Sequence, residues 1–138
     1  MQATTDHELD ERLRADTIFV SDLPLSRLLL MNDRRWPWAI LVPRRAGIVE
    51  LFDLPAEDRH QLDAEACEVA KALQVLTGAE KMNVATLGNI VRQFHLHVVA
   101  RQGGDPNWPG PVWGFGAREP YSSDEAQSLR ARLLESLS

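Results

Sequence analysis

The sequence predicts an α+β protein: an antiparallel sheet of about five strands, a main helix packed on one face, and a C-terminal helix. Three observations carry that prediction. Short apolar or alternating runs recur at 17–20, 27–31, 38–42, 81–87 and 91–101, the pattern of strands. Residues 55–77 hold an apolar stripe at helical spacing. Strands lie on both sides of that helix in the chain, which suits an antiparallel sheet covered on one face.

Each element has a local reason. Residues 6–15 read as a short helix with Asp6 as N-cap and Leu9 and Leu13 on one face. Thr17 to Val20 is β-branched and apolar, and Asp22-Leu23-Pro24 breaks it. Arg27 to Met31 is a near-continuous apolar run, a strand buried on both faces. Asn32 to Arg35 is a turn, and Trp38 to Val42 is the next strand, stopped by Pro43. The short connection makes these two strands antiparallel neighbours. In the long helix Pro55 suits the first turn, and Glu57 and Asp58 face the positive end of the dipole. Leu62, Ala66, Val69, Ala70, Leu73 and Leu76 form its stripe, and Gly78 stops it. Lys81 to Leu87, the turn Gly88-Asn89 and Val91 to Arg101 complete the sheet. Residues 102–121 are irregular and rich in Gly, Pro and Trp; Trp108 and Trp113 either cap the core or close over a site. Ser122 and Glu125 form a capping box that opens a helix over 123–136, with Leu129 and Leu133 inward.

Bulk composition narrows the function. The chain has 138 residues, 44% of them hydrophobic, enough for one domain (1–138) with a real core. A net charge of −5 repels nucleic-acid backbones, so any phosphate binding is local. No run approaches the ~18 apolar residues of a membrane span, and Met1 to Arg14 is too polar for a secretory leader. Cys67 is the single cysteine, which excludes an internal disulfide and fits a reducing, cytoplasmic compartment. Its apolar neighbours suggest a small buried side chain. His7 and His60, on predicted helices among acidic residues, read as solvent-exposed.

The most informative stretch is Gln93-Phe94-His95-Leu96-His97-Val98-Val99. Read as an alternating strand, it puts Gln93, His95 and His97 on one face and Phe94, Leu96 and Val98 on a core face. Three readings of the histidine pair stand beside each other. The first is a polar strand face that happens to hold two imidazoles. The second is a metal pair, which lacks a third ligand at suitable spacing. The third is phosphoryl chemistry, in which one imidazole attacks phosphorus and the other donates to an oxygen or leaving group. Gly88-Asn89 just upstream, Asn83 on the preceding strand, and Arg44, Arg45, Arg92 and Arg101 nearby favour the third.

These residues resemble the His-x-His-x-His-x-x signature of the histidine triad (HIT) family of nucleotidyl hydrolases and transferases. Asn83 followed by Gly88-Asn89 is similar to the family's Asn…Gly-Gln segment. Leu28 to Val42 with Pro43-Arg44-Arg45 resembles its paired strands ending in Pro-Lys or Pro-Arg, and Trp108-Pro109-Gly110 its Trp-Pro run. The resemblance implies that His95 is a nucleophile forming a nucleotidyl-histidine and that His97 contacts the phosphate and leaving group. It implies that Asn83, Gly88 and Asn89 surround the phosphate and that Asn32 or Asp33 meets ribose hydroxyls. It further implies a purine nucleotide substrate (a nucleoside phosphoramidate or dinucleoside polyphosphate), no metal or other cofactor, no nucleic-acid or membrane partner, and a homodimer. Two departures stand out. Gln93 replaces the first triad histidine, and glutamine hydrogen-bonds without titrating. Asn89-Ile90 replaces the family's Gln-Ser, losing a hydroxyl. A related uridylyltransferase branch carries glutamine at the last triad position, so Gln93 does not point to that activity. These departures keep a second expectation open, a HIT fold that binds nucleotide without turning it over.

Overall fold

The computed structural model describes residues 8–138. The elements are α1 (Glu11–Asp16), β1 (Thr17–Asp22), β2 (Ser26–Met31), β3 (Trp38–Pro43), α2 (Ala56–Thr77), β4 (Lys81–Ala85), β5 (Leu96–Arg101) and α3 (Ser123–Leu137). A single turn of 3₁₀ helix at Leu51–Asp53 precedes α2. The five strands form one antiparallel sheet in the order β1-β2-β3-β5-β4. This is the α+β architecture that the strand and helix patterns predict.

Two apolar layers hold the sheet. On one face Leu28, Leu30, Ala39, Leu41, Val98 and Ala100 meet Leu62, Ala66, Val69 and Leu73 of α2 and Leu129 and Leu133 of α3. On the other, Leu29, Trp38, Ile40, Val42 and Val99 meet Leu9, Leu13, Trp36 and Val112. The alternation along β3 and β5 separates these sets, because successive strand side chains point to opposite faces. Helices α2 and α3 therefore occupy one side. Helix α1 and the irregular segment occupy the other.

Element boundaries depart from the sequence reading where side chains capture backbone. The predicted N-cap Asp6 and His7 lie outside the described residues. Helix α1 is capped instead by Asp10, whose carboxylate accepts from the Arg12 N–H at 2.8 Å. Pro55 sits at the N-cap of α2 rather than inside its first turn, and Gly78 closes the helix at φ +70°, its N–H donating to the Gln74 carbonyl. A residue with a Cβ is disfavoured at that left-handed position. Cys67 is exposed, a correction to the buried side chain expected from its neighbours. It lies one residue past Ala66, about 100° around the helix from the stripe. Glu65 occupies the stripe instead and is fully buried; its carboxylate accepts from the Leu25 and Ser26 N–H groups at 2.7 and 3.1 Å. His60 is exposed, as its acidic surroundings suggest.

The irregular segment is pinned by charge and aromatic packing. Arg101, 1% exposed at the end of β5, pairs through two nitrogens with Asp105 at 2.8 Å. Its guanidinium lies 6.0 Å from the Trp36 ring and 5.6 Å from that of Trp108, a cation–π arrangement. The Trp36 indole N–H donates to the Pro106 carbonyl. Farther on, Arg35 donates to Asp33 and to the Phe115 carbonyl. These contacts lay the segment across the face that carries His97.

Candidate active site

His95 and His97 stand side by side, their ring centroids 4.8 Å apart in an edge-to-face arrangement. Both are buried, at 5% and 4% exposure, yet both line a cavity of about 500 Å³. His97 belongs to β5 and pairs with Ile40 of β3 on one flank and Ala85 of β4 on the other. His95 precedes the strand, because the chain curls over 91–95. The Phe94 N–H donates to the Ile48 carbonyl, and the Thr86 hydroxyl donates to the His95 carbonyl. The predicted strand over 91–101 therefore begins at Leu96.

The two rings carry opposite hydrogen-bond patterns. His95 Nδ1 lies 2.7 Å from the Gln93 carbonyl oxygen. A carbonyl only accepts, so Nδ1 carries the proton and Nε2 keeps its lone pair. At His97 the indole N–H of Trp38 donates to Nδ1 at 3.0 Å. Burial pushes the pKa of His97 down to about 3, and the neighbouring His95 acts in the same direction. Burial also lowers the pKa of His95, although the Gln93 carbonyl works against it. Both rings are therefore neutral at pH 7. Trp113 packs edge-on against His97 and Trp38, with centroids 5.3 and 6.1 Å away.

The remaining walls come from four segments, one of them the end of β2, which gives Met31. Helix α1 gives Arg12, Leu13 and Asp16; the 87–91 loop gives Leu87 to Val91; the irregular segment gives Trp113 and Gly114. Gly88 turns the loop at φ +70°, and a Cβ there would lie 3.1 Å from the Val91 carbonyl oxygen. Gly88 and Asn89 thus line the same cavity as the two histidines.

Other expected residues sit elsewhere. Gln93 shares no wall with the pair. Its amide oxygen accepts from the Asp10 N–H at 2.7 Å, and its amide nitrogen donates to the Glu8 carbonyl at 3.0 Å. Asn83 lies on β4 opposite Val99 and accepts from Arg101 at 3.1 Å. Asn32 accepts from the Tyr121 N–H at 2.9 Å. Asp33 lines an adjoining cavity that shares Asp16, Met31 and Gly114 with the first. Burial opposes its charge, and the Arg35 hydrogen bonds outweigh that and hold its pKa below the usual carboxylate range. Three of the four expected arginines are occupied elsewhere: Arg44 bonds the Leu23 and Pro24 carbonyls, Arg45 pairs with Asp58, and Arg101 with Asp105. The fourth, Arg92, lines another cavity together with Gly88, Asn89 and His95. Arg12 is the cation in the wall of the first cavity, and it pairs with Asp10. Sequence reading missed Arg12 and Trp38 as site residues, because each comes from a distant segment that no local spacing signals. Of the two places the sequence left open for Trp113, the core or a site, the ring takes both, packing on Trp38 and on His97. Among the described residues, no three His, Cys, Asp or Glu side chains gather as a metal set, and no helix is long and apolar enough to cross a membrane.

Comparison with known proteins agrees with this geometry. The HIT domain family model matches residues 12–104. A histidine triad (HIT) protein from Sinorhizobium meliloti is similar at TM-score 0.96 and 54% identity, covering 98% of this chain and 100% of that one. A histidine triad protein from Marinobacter aquaeolei is similar at TM-score 0.91 and 47% identity, covering 95% and 98%. One from Bradyrhizobium japonicum is similar at TM-score 0.92 and 41% identity, also covering 95% and 98%. No curated protein matches the chain. A sheet that sets two imidazoles against one cavity, a family match over most of the chain and relatives alike along nearly their whole length lead to one assignment: the chain belongs to the HIT domain family, whose members are in general nucleotide-binding hydrolases and transferases.

Proposed function

We propose that the protein hydrolyses a purine nucleotide conjugate, a nucleoside phosphoramidate or dinucleoside polyphosphate, at its α-phosphate through a nucleotidyl-His95 intermediate. The observation that carries this is the Gln93 carbonyl on His95 Nδ1, which leaves Nε2 unprotonated and facing the reaction. His95 Nε2 attacks the α-phosphorus. The bond to the leaving group breaks, and that group departs with the electron pair and takes a proton from solvent. The phosphorylated ring is then cationic, and the Gln93 carbonyl stabilises its Nδ1–H. Water attacks the same phosphorus, Nε2 leaves with its electron pair, and the proton of water passes to solvent. His97 and the backbone N–H groups around Gly88 and Asn89 are the donors proposed for the phosphoryl oxygens. Asp33 is proposed to meet a ribose from the adjoining cavity. Asn83 and Asn32 hold neighbouring structure rather than substrate. Gln93 positions both the His95 ring, through its carbonyl, and α1, through its side chain.

The test is direct. Incubated with adenosine phosphoramidate and quenched in base, the protein is expected to carry an adenylyl group on His95 by mass spectrometry, and His95→Ala none. Wild type that hydrolyses neither substrate class rejects the enzyme reading. One observation favours a second reading, a nucleotide-binding module without turnover: the cavity's cation, Arg12, is already paired with Asp10. Calorimetric binding of AMP with no adduct and no hydrolysis is the signature of that module. The same proposal includes a cytoplasmic homodimer; β4 is an open sheet edge with Val84 half-exposed, and light scattering reads the assembly.

A further inference from the structure

We propose that Trp38 is a positioning residue that holds His97 in the tautomer with its proton on Nε2. The site then pairs one imidazole presenting a lone pair with one presenting an N–H. An indole nitrogen is a donor only. With the Trp38 N–H 3.0 Å from His97 Nδ1, a proton on Nδ1 would set two donors against each other. That excludes the Nδ1–H tautomer and the doubly protonated ring alike, and it leaves Nε2–H. The contact is built into the sheet. Trp38 pairs with Val99 and Ile40 with His97 in the β3–β5 register, so Trp38 and His97 are diagonal neighbours on one face. Trp38 is itself fixed by Trp36 and Trp113, each with its ring centroid 6.1 Å away. His97 cannot turn out of the bond, because Trp113 and His95 pack edge-on against it at 5.3 and 4.8 Å.

The consequence is a division of labour set by one main-chain and one side-chain partner, each acting on the inner nitrogen of its ring. The Gln93 carbonyl, by accepting, keeps the proton of His95 on the inner nitrogen, and the Trp38 indole N–H, by donating, keeps the inner nitrogen of His97 unprotonated. Two identical side chains thereby present opposite groups outward. The functional half of this inference rests on the hydrolase reading; the tautomer half does not.

Nitrogen-15 NMR of the free protein reads the tautomer without any substrate. The expected result is a protonated Nε2 and an unprotonated Nδ1 at His97, with a ¹⁵N–¹⁵N coupling across the hydrogen bond to Trp38 Nε1. Trp38→Phe keeps an aromatic ring and removes the donor. It is expected to shift the His97 ring nitrogens, leave those of His95 in place, and lower kcat by about tenfold or more with KM little changed. If Trp38→Phe fails to fold, 3-benzothienylalanine at position 38 replaces the N–H by sulfur in nearly the same shape. A wild-type His97 protonated on Nδ1, or an absent coupling, overturns the inference whatever the activity. An active donor-less variant with kcat within about twofold of wild type, or with only KM raised, also overturns it. A wild type with no hydrolase activity but the expected coupling and shifts retains the tautomer lock and rejects the hydrolase reading alone.

Discussion

His95 and His97 share a residue type and a strand end, and they differ in what meets the inner ring nitrogen. That difference sets expectations for single substitutions. His97→Ala removes one donor from the cavity and is expected to lower kcat by about 10²–10³-fold while adduct still forms slowly on His95; single-turnover quench measurements separate the two. Because the pKa of His95 lies below the ordinary histidine value through burial, its nucleophilic form persists under mild acid. The acid limb of kcat/KM is therefore expected to be flat from pH 8 through about 6.5 and to fall only below that. A limb that breaks above pH 7 contradicts a buried, neutral nucleophile.

Elements transmit the same logic through backbone capture. Helix α1 walls the cavity, and Gln93 holds the residues before it by one accepted and one donated hydrogen bond. Gln93→Ala is expected to weaken that clamp by about 1–3 kcal/mol and to raise amide exchange over residues 8–16 while exchange in β5 stays slow. On the opposite face Glu65 satisfies two N–H groups at the start of β2. Glu65→Ala strands both and is expected to cost about 2–4 kcal/mol, read as a lower urea midpoint at unchanged m. These cases also show what a sequence conceals. The stripe of α2 and the apolar runs of β2 and β3 were legible because burial repeats with the period of the element. Gln93 to Val98 alternate polar and apolar, yet the chain curls over residues 91–95. Their hydrogen bonds go to Ile48, Thr86 and the His95 ring, partners that no spacing reveals. Glu65 was invisible for the same reason, a charged residue whose partners lie about 40 positions away.

For the molecule as a whole, the cost of the site appears in its pH dependence. Folded His97 titrates near 3 against an ordinary 6.5, and His95 is also lowered. Between about pH 6.5 and 3 the unfolded chain therefore binds protons that the folded protein does not. Stability rises with pH through that window and is lost as pH falls. The contribution of His97 is expected to reach a few kcal/mol by pH 4. Thermal unfolding of wild type and His97→Gln at pH 7, 5.5 and 4 checks it, with the variant's melting temperature falling less steeply. The sheet, its main helix on one face, a C-terminal helix and the neighbouring histidines were readable from 138 letters. The cavity walls were not, because Leu13, Ile90 and Trp113 meet only after the chain has crossed itself.

Strand β5 is hydrogen-bonded on both flanks, between β3 and β4. The cavity beside His97 and His95 is walled by a short helix, Met31 of β2, a glycine-turned loop and a pinned strap. His97 is thus anchored in the chassis of the sheet, whereas most of the cavity wall is fitted to it from outside. The 87–91 loop, with Leu87 and Ile90 exposed, is where a lineage or an engineer can recut the cavity at least cost to the frame, because Leu13 of the helix and Trp113 of the strap pack against the core.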